Sequence, residues 1–293
     1  MAPLVGSGLW FGSILNYWLV FLVNYSSNTV QSLTYDPSTG VMTDVGTAAT
    51  GTEPTTIAVD SVNHIVFLTN GGSSTAQSLT YDPSTGVMTD VGTVATGNSP
   101  YGVAVDSVNH IVFLTNSFSS TVQSLTYDPS TGVMTDVGTV ATGSEPNYIA
   151  VDSVNHIVFL TNSFSSTVQS LTYDPSTGVM TDVGTVATGS QPEGIAVDSV
   201  NHIVFLTNFI SSTVQSLTYD PSTGVMTDVG TVATGSEPNG IAVDSTNHIV
   251  FLVNYDANTA QSLTYDPSTG VMTDVGTAAT GSNPYFVAIA YKN

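Results

Sequence analysis

Residues 104–143 read AVDSVNHIVFLTNSFSSTVQSLTYDPSTGVMTDVGTVATG, and residues 150–189 repeat that string without a change. The hexapeptide Tyr-Asp-Pro-Ser-Thr-Gly within it starts at Tyr35, Tyr81, Tyr127, Tyr173, Tyr219 and Tyr265, always 46 residues apart. A fixed period of this length has to be read before any local signal, because it marks a repeat architecture.

The copy that starts at Glu193 resolves into four short strands. Gly194 to Asp198 is the first. Ser199-Val200-Asn201 turns the chain into the second, His202 to Asn208, and Phe209 to Ser212 leads to the third, Thr213 to Asp220. In Pro221-Ser222-Thr223-Gly224, Pro sets φ and Gly accepts a positive φ, which makes a tight turn. The fourth strand runs from Val225 to about Val232, and Thr234 to Pro238 breaks the pattern. No stretch shows a helical period. In the second strand Ile203 and Phe205 face one way and Val204 and Leu206 the other, so both faces need cover. A four-stranded sheet packed between two neighbouring sheets provides it, and that is a propeller blade. The expected fold is therefore all-β, a six-bladed β-propeller with four antiparallel strands per blade.

The ends refine this. Trp18 to Asn24 (WLVFLVN) lies one period before His64 to Asn70 (HIVFLTN). The apolar run Leu15 to Val23 thus reads as a second strand; it has no basic residue before it and no small-residue cleavage pattern after it, as a signal peptide requires. Tyr285 to Ile289 follows Pro284 as a first strand with nothing after it. The expectation is one propeller domain over 17–293, its first blade built from about 17–49 plus 285–291, and the ring closed by that C-terminal strand. Met1 to Asn16 is then an atypical extension.

The 293 residues carry one basic side chain, Lys292, against 22 acidic ones, for a net charge of −21. Phosphate backbones are bound through Lys and Arg, so nucleic acid is excluded as a partner. Anionic membrane surfaces are excluded likewise, and no apolar run is long enough for membrane insertion as a helix. The absence of cysteine excludes disulfides and thiolate metal sites.

Pro192 to Ser199 (Pro-Glu-Gly-Ile-Ala-Val-Asp-Ser), His202 to Asn208 (His-Ile-Val-Phe-Leu-Thr-Asn) and Ser211 to Thr227 (Ser-Ser-Thr-Val-Gln-Ser-Leu-Thr-Tyr-Asp-Pro-Ser-Thr-Gly-Val-Met-Thr) resemble the lactonase-type and YVTN-type β-propeller repeats. The resemblance covers about residues 17 to 291. It implies a family that includes sugar-lactone hydrolases and related cyclases, usually seven-bladed, together with surface-layer and secreted proteins.

Comparison of the six copies locates the candidate chemistry. The Asp-Ser-Val-Asn-His and Asp-Pro-Ser-Thr-Gly turns hardly vary. The segments before the first strand and after the second do, and in a blade these share one face. Glu53, Tyr101, Glu145, Tyr148, Glu193, Glu237, Tyr285 and Phe286 come from the former, and Phe118, Phe164, Phe209 and Tyr255 from the latter. Loops on a rigid scaffold are common binding sites. Aromatic rings with carboxylate acceptors suit a carbohydrate or a protein partner. The competing reading is sequence drift in tolerant loops. Clustered Glu offers Ca²⁺ as a weak alternative to no cofactor at all. The five histidines, His64, His110, His156, His202 and His248, recur one per blade and read as structural partners of the hairpin. Asp44 and Asp90 read as edge charges that oppose sheet association.

Enzymes acting on phosphorylated or carboxylated lactones need basic groups at the pocket, and this chain has no arginine. Near-identical copies point to recent duplication or construction from one blade, which leaves little asymmetry for an active site. The expected function is therefore a non-enzymatic binding or scaffold propeller, extracellular or at the cell surface, with a lactonase-like hydrolase of divergent site as the alternative.

Overall fold

Alternation of Val, Ile, Thr and Tyr with turn residues every 8 to 12 positions gives the chain no choice but short strands. The computed structural model describes residues 12–14 and 17–289. It contains six four-stranded antiparallel sheets in chain order, and one short 3₁₀ turn at Tyr25–Ser27. The fold is all-β, six propeller blades of four strands each. Blade 1 consists of Gly12–Ile14, Tyr17–Asn24, Thr29–Tyr35 and Met42–Ala49. Blades 2 to 6 open at Pro54, Pro100, Pro146, Pro192 and Pro238 and end at Ala95, Ala141, Ala187, Ala233 and Ala279. The chain divides into two compact units. Residues 12–140 with 175–179 form one, and 141–174 with 180–289 form the other. Among the described residues no helix is long and apolar enough to cross a membrane.

The closing strand is not where the sequence places it. Gly12–Ile14 pairs antiparallel with Tyr17–Trp18–Leu19 and supplies the first strand of blade 1. Residues 284–289 form no strand. Part of the supposed extension is thus blade structure, while residues 1–11 and 15–16 of it lie outside the described residues. The physical reason is proximity along the chain. A partner two residues away closes a hairpin at little entropy, whereas one at the far end of the chain closes the longest possible loop. The C-terminal segment still begins as a blade does. Asn283 adopts φ +53, like Glu237 at +55 one period earlier, and Gly240 N–H donates to Tyr285 O at 3.0 Å.

The second strand of each blade is the core. In blade 4 all of Ile157–Asn162 is buried, Ile157 through Leu160 at 0% exposure. Each such Leu, Ile or Phe removed from water contributes about 1.5–3 kcal/mol. Phe159 packs against Tyr219 of blade 5 with ring centroids 4.8 Å apart.

Polar bridges set how successive blades meet. In blades 2 to 6 the last residue of the first strand is a buried Asp. Asp152 accepts the Val154 and Asn155 backbone N–H groups and Asn155 Nδ2, which caps its hairpin. Its second oxygen also accepts Tyr219 Oη from the next blade at 2.6 Å. Tyr265 to Asp198 and Tyr127 to Asp60 repeat the bond. The outer strand carries a bulge, in which Ser170 faces Gly184 and Leu171 faces Asp182. Gly184 sits there at φ +142, which only glycine adopts without strain. Asp182 accepts Gln169 Nε2 at 2.8 Å. Asp44 and Asp90 accept from Gln31 and Gln77 in the same way. The outer Asp is therefore a hydrogen-bond partner within its blade, a role that the edge-charge reading missed.

The histidines take the structural role. All five adopt φ between +55 and +58 at the end of their hairpin. Each ring meets a Tyr edge-on, as His156 does Tyr173 at 5.6 Å, and each carbonyl accepts a Tyr N–H, as His156 O does from Tyr173 at 3.0 Å. The Asp-Pro turns cap themselves as expected. Asp220 Oδ1 accepts Ser222 N–H and Oγ, which holds its carboxyl below the usual range.

Candidate active site

In the unit formed by blades 4 to 6, the first strands start with dipeptides that break the repeat. They are Asn147-Tyr148, Glu193-Gly194 and Asn239-Gly240, followed by Tyr285-Phe286 in the C-terminal segment. The scaffold fixes their backbones. Thr161 Oγ1 of blade 4 donates to Glu193 O of blade 5 at 2.9 Å, and Thr207 Oγ1 of blade 5 donates to Asn239 O of blade 6 at 2.7 Å. Gly194 is required by close approach. A Cβ there would lie 2.3 Å from Asn239 O. The variable loops after the second strands are tied to the same place, because Ser163 N–H donates to Glu145 O at 2.9 Å and Tyr255 N–H to Glu237 O at 2.8 Å.

Glu193 is the centre of this arrangement. Its carboxylate accepts Ser163 Oγ at 3.0 Å and Asn147 Nδ2 at 3.2 and 3.4 Å. Burial pushes its carboxyl up to about 7. The two hydrogen bonds pull the other way, and the negative charge of Glu145 adds to the rise. A carboxyl at that value is half ionised near neutrality, the condition for a general base.

Aromatic rings gather in the same unit. Tyr148 is 4% exposed. It lies edge-on to Phe286 at 6.1 Å, and its Oη reaches Asn239 Oδ1 at 3.5 Å. Phe286 meets Tyr285 at 4.8 Å, and Tyr285 meets Tyr255 at 5.9 Å. Tyr148, Phe286, Tyr285 and Tyr255 thus form a chain of rings, and Thr161 Oγ1, which accepts Tyr148 N–H at 3.2 Å and donates to Glu193 O, ties the Tyr148 backbone to that of Glu193. Glu237 joins the rings only through its backbone carbonyl. Phe209 is half-buried and bonds Gln191 O through its N–H, and Phe164 is exposed.

Three candidates belong to the other unit. Tyr101 is half-buried, and its carbonyl accepts Thr69 Oγ1 at 2.6 Å. Glu53 is exposed and hydrogen-bonds Tyr25, whose hydroxyl it pushes up. Phe118 is 74% exposed. Asn147, Ser163 and Asn239 were missed by sequence reasoning, which weighed Glu and aromatic residues only. The signal was present, since Asn147 and Asn239 occupy the same varying position as Glu193. Among the described residues no three of Asp, Glu and His come together as metal ligands, so no residue is assigned to Ca²⁺.

The sequence matches the family described as "Lactonase, 7-bladed beta-propeller" over residues 19–124, 113–225 and 149–289. Among curated proteins there is no match. The structure is similar to a protein from Lactobacillus plantarum (19% identity, TM-score 0.82, 92% of this chain and 84% of that one). It is also similar to a putative 6-phosphogluconolactonase of Bacteroides fragilis (16%, 0.82, 96% and 86%). A third likeness is to a periplasmic gluconolactonase of Pseudomonas aeruginosa (15%, 0.79, 95% and 86%). These identities establish a shared fold. The six-blade expectation stands, and one expectation changes. The blades number six where the family description has seven. The non-enzymatic scaffold gives way to the hydrolase alternative, because the family match spans nearly the whole chain and the repeats diverge into an asymmetric polar cluster. With a match that runs from residue 19 to residue 289, the chain belongs to the lactonase, 7-bladed β-propeller family.

Proposed function

We propose that the chain hydrolyses a lactone, with Glu193 as general base. The observation that carries this is the Glu193 carboxyl, largely buried, oriented by Ser163 and Asn147 and raised to about 7. Ester hydrolysis needs a base for water, donors for the oxyanion and a proton for the leaving alkoxide. Glu193 takes a proton from water as its oxygen adds to the lactone carbonyl. The Asn147 amide beside Glu193 is the neighbouring donor for the tetrahedral oxyanion. Collapse breaks the ring C–O bond, and protonated Glu193 returns its proton to the alkoxide, giving the open hydroxy acid. The rings of Tyr285, exposed, and Phe286, half-buried, offer apolar faces to a sugar ring, so the carbohydrate class of ligand fits better than a protein partner.

An exported location is part of the same reading, supported by the likeness to the periplasmic gluconolactonase. The test is gluconolactone hydrolysis by the whole chain and by Glu193→Gln. The variant keeps the shape of the side chain and one acceptor oxygen and lacks the base. A loss of about 100-fold in kcat, within the range of general-base catalysis, is expected. An unchanged kcat removes Glu193 from the mechanism.

A further inference from the structure

We infer that this site selects uncharged lactones and rejects anionic ones, with Glu145 as the residue that sets the discrimination. The inference rests on the lactonase reading above and adds the substrate class. Its basis is the geometry around Ser163. The Ser163 N–H donates to the Glu145 carbonyl at 2.9 Å, while its Oγ donates to the Glu193 carboxylate at 3.0 Å. One residue therefore couples the Glu145 backbone to the catalytic carboxylate, and the Glu145 charge is felt at Glu193. Glu145 is held at φ +52, in the left-handed region, ahead of the buried Pro146, so its backbone is fixed by the turn.

Among the described residues no lysine or arginine balances this pair. The only basic side chain in the sequence is Lys292, outside the described residues, against 22 acidic ones. Recognition of a phosphate or carboxylate uses Arg or Lys, often bidentately. Here the polar groups beside Glu193 are amides, hydroxyls and a second carboxylate. An anionic substituent on the lactone would meet like charge, which costs several kcal/mol at an interface. A neutral sugar lactone meets hydrogen-bonding groups and ring faces only.

The experiment compares gluconolactone with its 6-phosphorylated form on the whole chain at pH 8, at low and high salt, for the wild type, Glu145→Gln and Glu145→Lys. The expected result is a wild-type preference of about 100-fold in kcat/KM for the neutral lactone. That ratio narrows about threefold or more in 0.5 M salt, where like-charge repulsion is screened. It narrows further in Glu145→Gln and most in Glu145→Lys. Glu145→Gln preserves size and serves where the Lys variant fails to fold; the salt series needs no variant at all.

Comparable rates on both lactones overturn the inference and leave the lactonase reading standing. A preference that neither salt nor either substitution moves overturns the role of Glu145. Failure to hydrolyse either lactone counts against the lactonase reading itself, and the inference falls with it.

Discussion

Tyr219 Oη donates to Asp152 Oδ2 at 2.6 Å, joining the third strand of blade 5 to the first strand of blade 4. Asp152 is at 0% exposure and already accepts three bonds from its own hairpin turn. One carboxylate thus shapes a turn and locks a neighbouring blade. The bond and the burial push the Tyr219 hydroxyl strongly up, so it stays a donor at any ordinary pH.

Tyr219→Phe leaves a buried charged acceptor short of one donor and should cost about 1–3 kcal/mol of stability. Tyr81 is the internal control. In blade 1 the residue paired with Leu19, as Asp60 is with Ile65 one period later, is Gly12, so Tyr81 has no such carboxylate to bond. Tyr81→Phe should cost less than half as much. Denaturation midpoints of the two variants check the difference, and equal costs would remove the blade-lock role.

The Glu193 carboxyl stands at about 7 in the fold against an ordinary 4.5 in the unfolded chain. The folded state therefore holds the proton more tightly. This favourable contribution is complete below about 4.5 and is lost as pH rises through about 7. Glu193→Gln is neutral at every pH, so its stability relative to wild type should improve from pH 5 to pH 8 by about 2 kcal/mol, after discount for partial exposure. Melting temperatures of both proteins at several pH values measure it. A difference that is flat with pH contradicts the buried, raised carboxyl.

If Glu193 is the base, kcat/KM for gluconolactone rises with pH and levels off above about 7. Glu145→Gln removes the smallest of the causes that raise this carboxyl, so the limb should move to lower pH by less than one unit. A pH–rate profile for the two proteins decides this, corrected for spontaneous lactone opening. An alkaline-falling profile would point to a protonated catalyst instead.

Two serines in the same repeat position should respond oppositely. Ser170 Oγ is buried and donates to Gly224 O of the next blade at 2.8 Å. Ser32 Oγ is buried with no hydrogen-bond partner among the described residues. Ser170→Ala strands a buried carbonyl and should cost about 1 kcal/mol, while Ser32→Ala should be neutral or slightly stabilising. Thermal shifts in parallel read out both.

His156 stands at φ +56. Asn tolerates this conformation and Val does not. His156→Val should destabilise by about 1–2 kcal/mol, His156→Asn by less, and neither should alter lactone turnover. Loss of activity in a stable His156→Asn protein would restore a chemical role for the histidines.

Legibility differed sharply between repeat and exception. The period, the four strands, the burial of Ile157 to Leu160 on both faces and the self-capping Asp-Pro turns all follow from local chemistry repeated six times, and all are in the structure. That Asp44 also accepts from Gln31 was not legible, because Gln31 lies on the adjacent strand across a bulge, which no linear pattern shows. Residue type singled out Glu193 and Tyr148 in the sequence, whereas the hydrogen bonds that bring Asn147 and Ser163 to Glu193 and Asn239 to Tyr148 are visible only in the structure.

By itself the sequence determined the blade, because strand alternation, Pro-Gly turns and an apolar second strand are short-range signals that each copy carries in full. It determined the absence of cationic chemistry too, since charge is a matter of composition. Only the tertiary structure decided which strand completes the first blade, where a nearby hairpin partner prevails over a distant one. It also decided that Glu193 becomes a buried carboxylate near neutrality. That property belongs to no residue alone; it arises when blades 4 and 5 bring Asn147, Ser163 and Glu145 around one side chain and take water away from it.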